Sequence, residues 1–460
     1  MHIKKYGPEF TRRKFMESLT KGAGTAGVLT SLWPLIGHSA DDISKAYPDE
    51  LLSIEMYTKG KVKPGDVITA DNVEHVKDLL TPIAYEQVKS MGRRITIVES
   101  TKDVTNLYPY EYLDATLRNQ GKAVLDKEGN VRTKDGRPWI GGNPFPQPKN
   151  GIEAMYNLTL SWGRHNYSQY AIRDWDLDPD GGLSYVYDFA WAELNANARS
   201  DDKTWKGKDD ILRYQSVWFT SPSDASGTSF LSIWHYDQNK FPDLYGYIPA
   251  FRRVRQYPTN QRFEPLVPGV TFFLSDAWSS GDPLLTWGNY KIVDRKPMLG
   301  AVSPKNFNGG YHDNYEKPAH GGPQGQTFYD TYMELVPECL VIDAEPTGYP
   351  RAPVGKKRVW VDARNQHFIG YMTFDRRGEM WKSFEPAFAQ YKNDKLTVMD
   401  GNHPLWSWVH VMSHDIQSNR MSRFVQVKEI AGGYKSIYDP GDVDVYNKFL
   451  TVQAMQRLGG

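Results

Sequence analysis

A succession of segments with period-two alternation, running from His165 to Ile430, is the feature that most constrains the fold of this chain. Side chains two residues apart lie on the same face of a strand, so each alternating segment predicts one β-strand. Turn signals with glycine, aspartate or proline separate these segments, and many strands joined in this way predict a curled antiparallel sheet. The predicted strands are 184–189, 212–219, 230–236, 251–255, 290–294, 332–342, 357–361, 368–374, 406–412 and 424–427.

The first forty residues have the order of a twin-arginine export signal. Arg12 and Arg13 precede a mildly apolar stretch from Gly22 to Gly37, and Ser39-Ala40 follows it. The stretch is short and rich in glycine, which disfavours a membrane span. Such signals are addresses that a receptor reads. We therefore expect export to the periplasm, with the twin-arginine translocase as a partner during export and cleavage after Ala40.

The rest of the chain is predicted to form three further segments. Residues 41–143 form a mixed N-terminal segment, with short helices starting near Asn72 and Thr81 and a hairpin turn at 126–130. Residues 144–430 carry the antiparallel β domain. Residues 431–460 form a C-terminal helical tail, with one helix from Asp442 to Leu458. The predicted fold class is α+β: mainly β, with helices packed on or over the sheet.

One helix is predicted at the start of the β domain. Asn150 can cap it, Glu153 can reach back to the cap, and Gly163 can end it. The sequence leaves open whether this helix packs on the sheet or acts as a lid. Its apolar stripe consists of Ile152, Met155, Tyr156, Thr159 and Leu160.

Charge and cysteine content exclude two classes of protein. The chain has 55 Lys and Arg against 55 Asp and Glu. Because nucleic-acid binding requires a basic face, we expect no nucleic-acid partner. The single cysteine, Cys339, permits no internal disulfide, and its apolar surroundings predict a buried, inert thiol.

Three sequence blocks, together with Leu80-Thr81-Pro82, match the pattern of a known family. They are GNPFPQPKNGIEAMYN at 142–157, FRRVR at 251–255 and YMTFDRRGEMW at 371–381. On these residues the chain resembles the DUF1329 family of periplasmic proteins, over roughly Lys63 to Phe424. That family is similar to the LolA and LolB lipoprotein carriers, which implies a curved half-barrel that holds acyl chains beneath a helical lid. The resemblance also implies partners among outer-membrane proteins and RND-type transporters.

The 14 Trp, 28 Tyr and 19 Phe residues fit either cross-strand aromatic pairs or an apolar ligand cavity, and the sequence leaves both open. If Arg252 faces such a cavity, its guanidinium can bind a carboxylate or phosphate headgroup at the mouth. The alternative is a solvated strand with cross-strand ion pairs. The predicted ligand-binding residues are Trp218, Trp234, Trp360, Arg252, Tyr156 and Asn157.

Two functions follow as hypotheses. The first is a non-enzymatic periplasmic carrier or assembly factor, without a cofactor, which binds a hydrophobic small molecule or lipid and delivers it toward the outer membrane. The second is a periplasmic enzyme or enzyme subunit with a metal site in the loop 303–326, held by His312, Asp313 and His320. No catalytic residues are predicted, since the Gly-x-Ser-x-Gly and phosphate-loop motifs are absent from the sequence.

Overall fold

A computed structural model describes residues 47, 49–258, 261–276, 281–307, 314–441 and 444–459. The predicted export signal and the predicted metal ligands His312 and Asp313 lie outside the described residues. The architecture is one 16-stranded sheet with short helices against it, so the predicted fold class, mainly β with α, is confirmed. Among the described helices, none has both the length and the apolar character that a membrane crossing requires.

The described helices are short and lie mostly before and after the long strands. They are α1 Ile54–Thr58, α2 Pro82–Ser90, α3 Tyr110–Asn119, α4 Gly151–Thr159, α5 Val445–Phe449 and α6 Val452–Leu458.

The strands of the first half of the chain are β1 Val67–Ile68, β2 Ile95–Ile97, β3 Ala123–Leu125, β4 Val131–Thr133, β5 Tyr167–Leu177, β6 Leu183–Asn195, β7 Ile211–Ser221, β8 Ser229–His235, β9 Asp243–Ile248 and β10 Arg253–Tyr257. The later strands are β11 Gly288–Gly300, β12 Ala319–His320, β13 Phe328–Tyr329, β14 Thr331–Glu345, β15 Val354–Asp362, β16 His367–Asp375, β17 Met380–Gln390, β18 Met399–Asp400, β19 His403–Pro404, β20 Trp406–Asp415, β21 Arg420–Val427, β22 Glu429–Ile430, β23 Tyr434–Lys435 and β24 Ile437–Tyr438.

The order of strands in the large sheet is β1-β2-β14-β15-β16-β17-β20-β21-β5-β6-β7-β8-β9-β10, with β11 beside β14 and β24 beside β5. Within the described residues, the pairs of this sheet are antiparallel except β2 with β14. Strands β5–β10 follow one another as antiparallel neighbours, and so do β14–β17, β20 and β21, whereas β18 and β19 form a separate hairpin. The two series meet at β5 and β21, where Arg173 lies opposite Val425.

The two faces of the sheet carry different cores. One face, here called the inner face, presents Ile172, Phe189 and Val217 to the largest hydrophobic cluster, which also contains residues of α4. The alternate residues Ala171 and Ala190 belong to a second cluster on the opposite face, which includes residues of α5 and α6. The side chains of β5 and β6 therefore alternate between the two faces. The sequence predicts a strand within β6, at 184–189, but none within β5. Cys339 is buried, as predicted, and burial raises the pKa of its thiol.

Helix α4 begins at the predicted cap. The Oδ1 atom of Asn150 accepts a hydrogen bond from the amide of Glu153 at 3.0 Å. Glu153 reaches back one residue further than predicted, because its Oε2 accepts from the amide of Lys149 at 2.7 Å. The helix ends at Thr159 rather than at Gly163, and its residues from Ala154 to Thr159 are all buried. This burial favours the packed-helix alternative over an exposed lid.

Three local predictions are wrong in detail. The helix expected from Asn72 to Leu80 is two 3₁₀ turns, because Val76 between them leaves helical geometry. The strand expected at 251–255 starts at Arg253, since Arg252 adopts a left-handed backbone conformation (φ 49°). The C-terminal helix is split into α5 and α6, because Thr451 starts a new helix by accepting a hydrogen bond from the amide of Ala454.

Candidate ligand-binding cavity

A cavity of about 40 Å³ lies between the inner face of the sheet and the covering segment, the name we give to residues 262–276. Strands β5, β6, β7, β8 and β21 form its floor. The covering segment closes it from the other side. The lining residues are Trp162, Asp174, Phe189, Trp191, Gln215, Val217, Phe219, Ser232, Trp234, Arg262, Leu266, Val267, Val270, Phe272, Leu274, Gly281 and Phe424.

Seven of the seventeen residues that line the cavity are aromatic. Phe189 packs against Phe219 with ring centroids 5.3 Å apart. From the covering segment, Phe272 meets Phe424 of β21 edge to face, with centroids 5.1 Å apart and ring planes at 89°. Such pairs add to the stability that burial of the rings provides. They give the cavity an apolar, shaped wall.

Trp234 is held in this wall by polar neighbours. Its indole Nε1–H donates to Oε1 of Gln215 at 3.0 Å. Arg262 from the covering segment lies 5.5 Å from the centre of the Trp234 ring, a cation–π distance. Arg262 is itself paired with Asp282, whose Oδ1 accepts from its Nε at 2.5 Å. The indole is therefore contacted by both the sheet and the covering segment.

A buried arginine, Arg213, and a buried glutamate, Glu193, lie near the tryptophans. The guanidinium of Arg213 lies 4.1 Å from the centre of the Trp162 ring and donates to the carbonyl of Thr159. Burial lowers the pKa of Arg213 to about 10, and the nearby carboxylate of Glu193 opposes this shift. Burial likewise raises the pKa of Glu193 to about 7, and Arg213 opposes it.

Asp174 is the least expected residue in the wall. It is fully buried, and no group among the described residues donates a hydrogen bond to either of its carboxylate oxygens. Burial and the neighbouring Asp176 raise the pKa of Asp174 far above its usual value, and the charge of Arg423 opposes this shift. Asp176 accepts a hydrogen bond from Ser422 on Oδ1 at 2.5 Å, and burial raises its pKa to about 7. Unpaired buried carboxyl groups are costly and are held in the neutral form.

The polar composition of residues 174–182 predicts a turn, and this prediction is wrong for residues 174–177. Asp174 and Asp176 lie within β5, and the turn begins at Asp178, whose amide bonds to the carbonyl of Gly182 at 2.8 Å. The polar residues indicated a turn because an inward-facing strand position normally carries an apolar residue. Ile172 could have placed Asp174 on the inner face, because residues two positions apart lie on the same face of a strand.

The covering segment is joined to the sheet by hydrogen bonds at several points. The amide of Thr271 donates to Oγ of Ser422 at 2.9 Å, and its hydroxyl lies 3.0 Å from Oγ of Ser413. Tyr187 of β6 donates its phenol to the carbonyl of Pro268 at 3.0 Å. A cavity of about 40 Å³ has room for a few water molecules, whereas ligand pockets are about 300–1,000 Å³. Entry of a larger ligand therefore requires the covering segment to move.

The three predicted tryptophans lie in three different places. Trp234 lines the cavity. Trp360 is not among the cavity residues and instead lines a surface groove of about 520 Å³ between α2 and the strands β11, β14 and β15. Trp218 is buried on the opposite face of the sheet, where it stacks on Phe449 of α5 with centroids 5.1 Å apart.

The other predicted ligand-binding residues are not among the residues that line the cavity. Arg252 is exposed, in the turn before β10. Tyr156 donates its phenol to the carbonyl of Gly129 at 2.7 Å. Asn157 forms a pair of hydrogen bonds with the backbone of Phe145, at 2.9 and 2.7 Å. Tyr156 and Asn157 thus attach neighbouring loops to α4, and a ligand role for these residues stays a prediction.

Of the predicted loop metal site, only His320 is described. Its Nε2 accepts from the amide of Arg94 at 3.1 Å, and its Nδ1 lies 3.0 Å from Oδ1 of Asp330. Burial lowers the pKa of His320 to about 4, and Asp330 opposes this shift. The three-residue metal site in the loop 303–326 stays a prediction.

Comparisons with known proteins place these features in a family. The profile of a family described as "Protein of unknown function (DUF1329)" matches residues 67–456. An uncharacterized protein of Pseudomonas aeruginosa is 22% identical over 360 residues, which cover 73% of this chain and 71% of that protein.

Solved structures show similar folds at low identity. A proposed outer membrane lipoprotein-sorting protein domain from Vibrio parahaemolyticus has a TM-score of 0.43 and 16% identity, covering 67% of this chain and 98% of that one. A DUF1329 family protein from Desulfovibrio piger has a TM-score of 0.43 and 12% identity, covering 66% and 97%. A LolA superfamily protein from Nitrosomonas europaea has a TM-score of 0.34 and 12% identity, covering 62% and 96%.

Proposed function

This chain belongs to the DUF1329 family, and we propose that it is a carrier of a hydrophobic molecule, a small compound or a lipid, which it binds on the inner face of its sheet. The observation that carries the proposal is the cavity, whose wall is aromatic on both the sheet side and the side of the covering segment. Apolar concave sites with a few polar groups are the usual places for ligands.

The covering segment acts as a replaceable wall in this proposal. Leu266, Val267 and Phe272 pack against the inner face while remaining partly accessible. A hydrophobic cargo that displaces them buries the same apolar surface of the sheet. The free energy gained by burying apolar surface is about 25 cal/mol for each Å². It is largely retained when the cargo takes the place of the covering segment. Displacement therefore costs mainly the hydrogen bonds of the segment.

Asp174 supports a cargo that carries one polar group. A neutral carboxyl group can both donate and accept a hydrogen bond. Because Asp174 has no hydrogen-bond partner among the described residues, a hydroxyl or carbonyl group of the cargo satisfies it at no cost to the protein. The proposed cargo is an apolar body with a hydrogen-bonding end.

Periplasmic location and delivery toward the outer membrane complete the proposal. They are supported by the order of charge, apolar stretch and small residues in the first forty positions. The recipient in this proposal is an outer-membrane protein or an RND-type transporter, as the family resemblance implies. Delivery then follows from movement of the covering segment at the recipient.

A disulfide lock tests whether cargo enters beneath the covering segment. The side-chain oxygens of Thr271 and Ser413 lie 3.0 Å apart, so cysteines at both positions are close enough to join. With a fluorescent apolar probe such as N-phenyl-1-naphthylamine, we expect binding to the reduced Thr271→Cys/Ser413→Cys variant and its loss after oxidation. Reduction should restore binding.

The two single-cysteine variants, treated with the same oxidant, serve as controls and should bind the probe in both states. Equal binding by the oxidised and reduced double variant would show that cargo does not enter under the segment. Failure of the parent protein to bind any apolar probe would contradict the carrier proposal itself.

A further inference from the structure

Three potential metal ligands converge at the start of β5. His165 lies two residues before the first residue of β5, Asp400 ends β18, and Asp439 follows β24. The Nδ1 atom of His165 lies 3.2 Å from Oδ2 of Asp400 and 3.8 Å from Oδ2 of Asp439. One ligand atom from each residue lies within 4.8 Å of the others. Segments far apart in the chain thus bring one nitrogen and two oxygens to one point.

The imidazole of His165 is oriented from its other side. Its Nε2 lies 3.4 Å from the carbonyl oxygen of Trp406, and its ring packs at 4.8 Å from that of Tyr438. A carbonyl can only accept, so Nε2 carries the proton in this contact. A neutral ring in this tautomer turns the lone pair of Nδ1 toward the two carboxylates. Metal-binding histidines are typically fixed in this way by a backbone carbonyl.

Asp439 is also held in place. Its Oδ1 accepts from the amide of Tyr167 at 2.7 Å, and its Oδ2 accepts from the amide of Asn166 at 3.3 Å. These bonds fix the carboxylate before any ion arrives and leave lone pairs on both oxygens. Preformed ligands of this kind reduce the entropy that binding costs.

The charge at this point is unbalanced. Within the described part of the chain, neither Asp400 nor Asp439 forms an ion pair with Lys or Arg. Three acceptor atoms that face each other require a positive charge between them, either a proton on Nδ1 or a metal ion. A cation is therefore strongly favoured here.

We propose that His165, Asp400 and Asp439 bind a divalent transition-metal ion of the Zn²⁺ type. Tetrahedral Zn²⁺ with ligands at about 2.0–2.1 Å places those ligands about 3.3 Å apart, close to the 3.2 Å between His165 and Asp400. A mixed nitrogen and oxygen set favours Zn²⁺ over Ca²⁺ and Mg²⁺, which prefer oxygen alone. Asp400 and Asp439 are partly exposed, which gives the ion a path of entry and leaves a position for water.

The site goes beyond the carrier proposal and is independent of it. None of its three ligands lines the cavity. It is also separate from the metal site predicted in the loop 303–326. A bound ion would join the start of β5, the β18–β19 hairpin and the chain after β24, and so would stabilise this corner of the sheet.

The test uses the full mature chain after chelator treatment, with Zn²⁺ as the only added ligand. Calorimetric titration and elemental analysis after dialysis should show one Zn²⁺ per chain. Thermal unfolding should occur at a higher temperature with Zn²⁺ than without it, while Ca²⁺ has no effect. Asp400→Asn and Asp439→Asn should each weaken Zn²⁺ binding at least tenfold, and His165→Gln should abolish it.

Asn keeps the acceptor oxygen for the amide of Tyr167, so Asp439→Asn should retain the fold, and circular dichroism checks this. His235→Gln is the matched control, since His235 pairs with a single carboxylate, that of Asp243, at 3.4 Å. His320→Gln tests whether the ion binds at the predicted loop site instead of at His165. Absence of saturable Zn²⁺ binding by the parent, undiminished binding by folded Asp400→Asn, or loss of binding in His320→Gln would each overturn the proposal.

Discussion

The indole of Trp234 meets that of Trp162 edge to face, with ring centroids 5.2 Å apart and planes at 84°. Arg213 lies against both rings, 4.1 Å from the centre of Trp162 and 5.7 Å from that of Trp234. This arrangement gives Trp234 two properties at once. It is a wall of the cavity, and it is a packed side chain that is only 3% exposed.

Replacing Trp234 separates these two properties. Trp234→Glu should lower the free energy of unfolding by about 3 kcal/mol, because a large buried ring is lost. The protein should still fold, since Arg213 and Arg262 flank the ring and can pair with the new carboxylate. Binding of an apolar probe should fall at least tenfold, as measured by fluorescence titration.

Trp218→Phe is the control, because Trp218 lies on the opposite face of the sheet and its replacement should leave probe binding unchanged. Undiminished probe binding by folded Trp234→Glu would remove Trp234 from the ligand site.

Asp174→Asn should stabilise the protein more at pH 8 than at pH 5. The folded protein keeps a proton on Asp174 that the unfolded chain releases above about pH 4, so the parent loses stability as pH rises toward the raised pKa of Asp174. Asn cannot ionise and removes this loss, which for one group is at most about 1.4 kcal/mol per pH unit. Urea unfolding at both pH values measures the difference in the free energy of unfolding between Asp174→Asn and the parent.

Asp180→Asn, in the exposed turn after β5, is the comparison and should leave the pH dependence as in the parent. An Asp174→Asn protein whose stability follows the parent at both pH values would mean that the carboxyl group is solvated. Asp174→Asn should still bind the apolar probe, because the cavity wall keeps its shape.

Asn150→Ala should lower the free energy of unfolding by about 1 kcal/mol. The substitution removes the acceptor for the amide of Glu153 at the first turn of α4. Asn150→Asp keeps an acceptor at the same position and should retain the stability of the parent. Identical unfolding of the alanine variant and the parent would mean that the observed cap contributes nothing.

Changing Arg12 and Arg13 together to Lys should stop export and leave precursor in the cytoplasm. Lysine keeps the charge but lacks the planar guanidinium donors that the arginine pair presents. Cell fractionation followed by immunoblotting measures the distribution. Normal accumulation of the double variant in the periplasm would refute the assignment of the signal.

Local features of the fold were predictable from sequence, and long-range ones were not. The Asn150 cap depends on residues four positions apart at most, so composition near the helix was sufficient. The strand position of Trp234 follows from alternation alone. The contacts of Trp234 were not predictable in this way, because Arg262 reaches the indole from a segment between β10 and β11 that has no periodic pattern. The cluster of His165 with Asp400 and Asp439 likewise depends on pairings across the whole chain.

Pairing of β5 with β21 has a consequence for the order of folding. The hydrogen bond from Ser422 to Asp176 joins residues 246 positions apart. While the ribosome is still adding β21, β5 has an unpaired edge, and such edges promote aggregation. Contacts of this separation also slow folding, since the intervening chain must be closed into a loop. The pairing of β5 with β21 is therefore completed only after synthesis has reached residue 427, and a chain that stops before Arg420 leaves this edge of β5 unpaired.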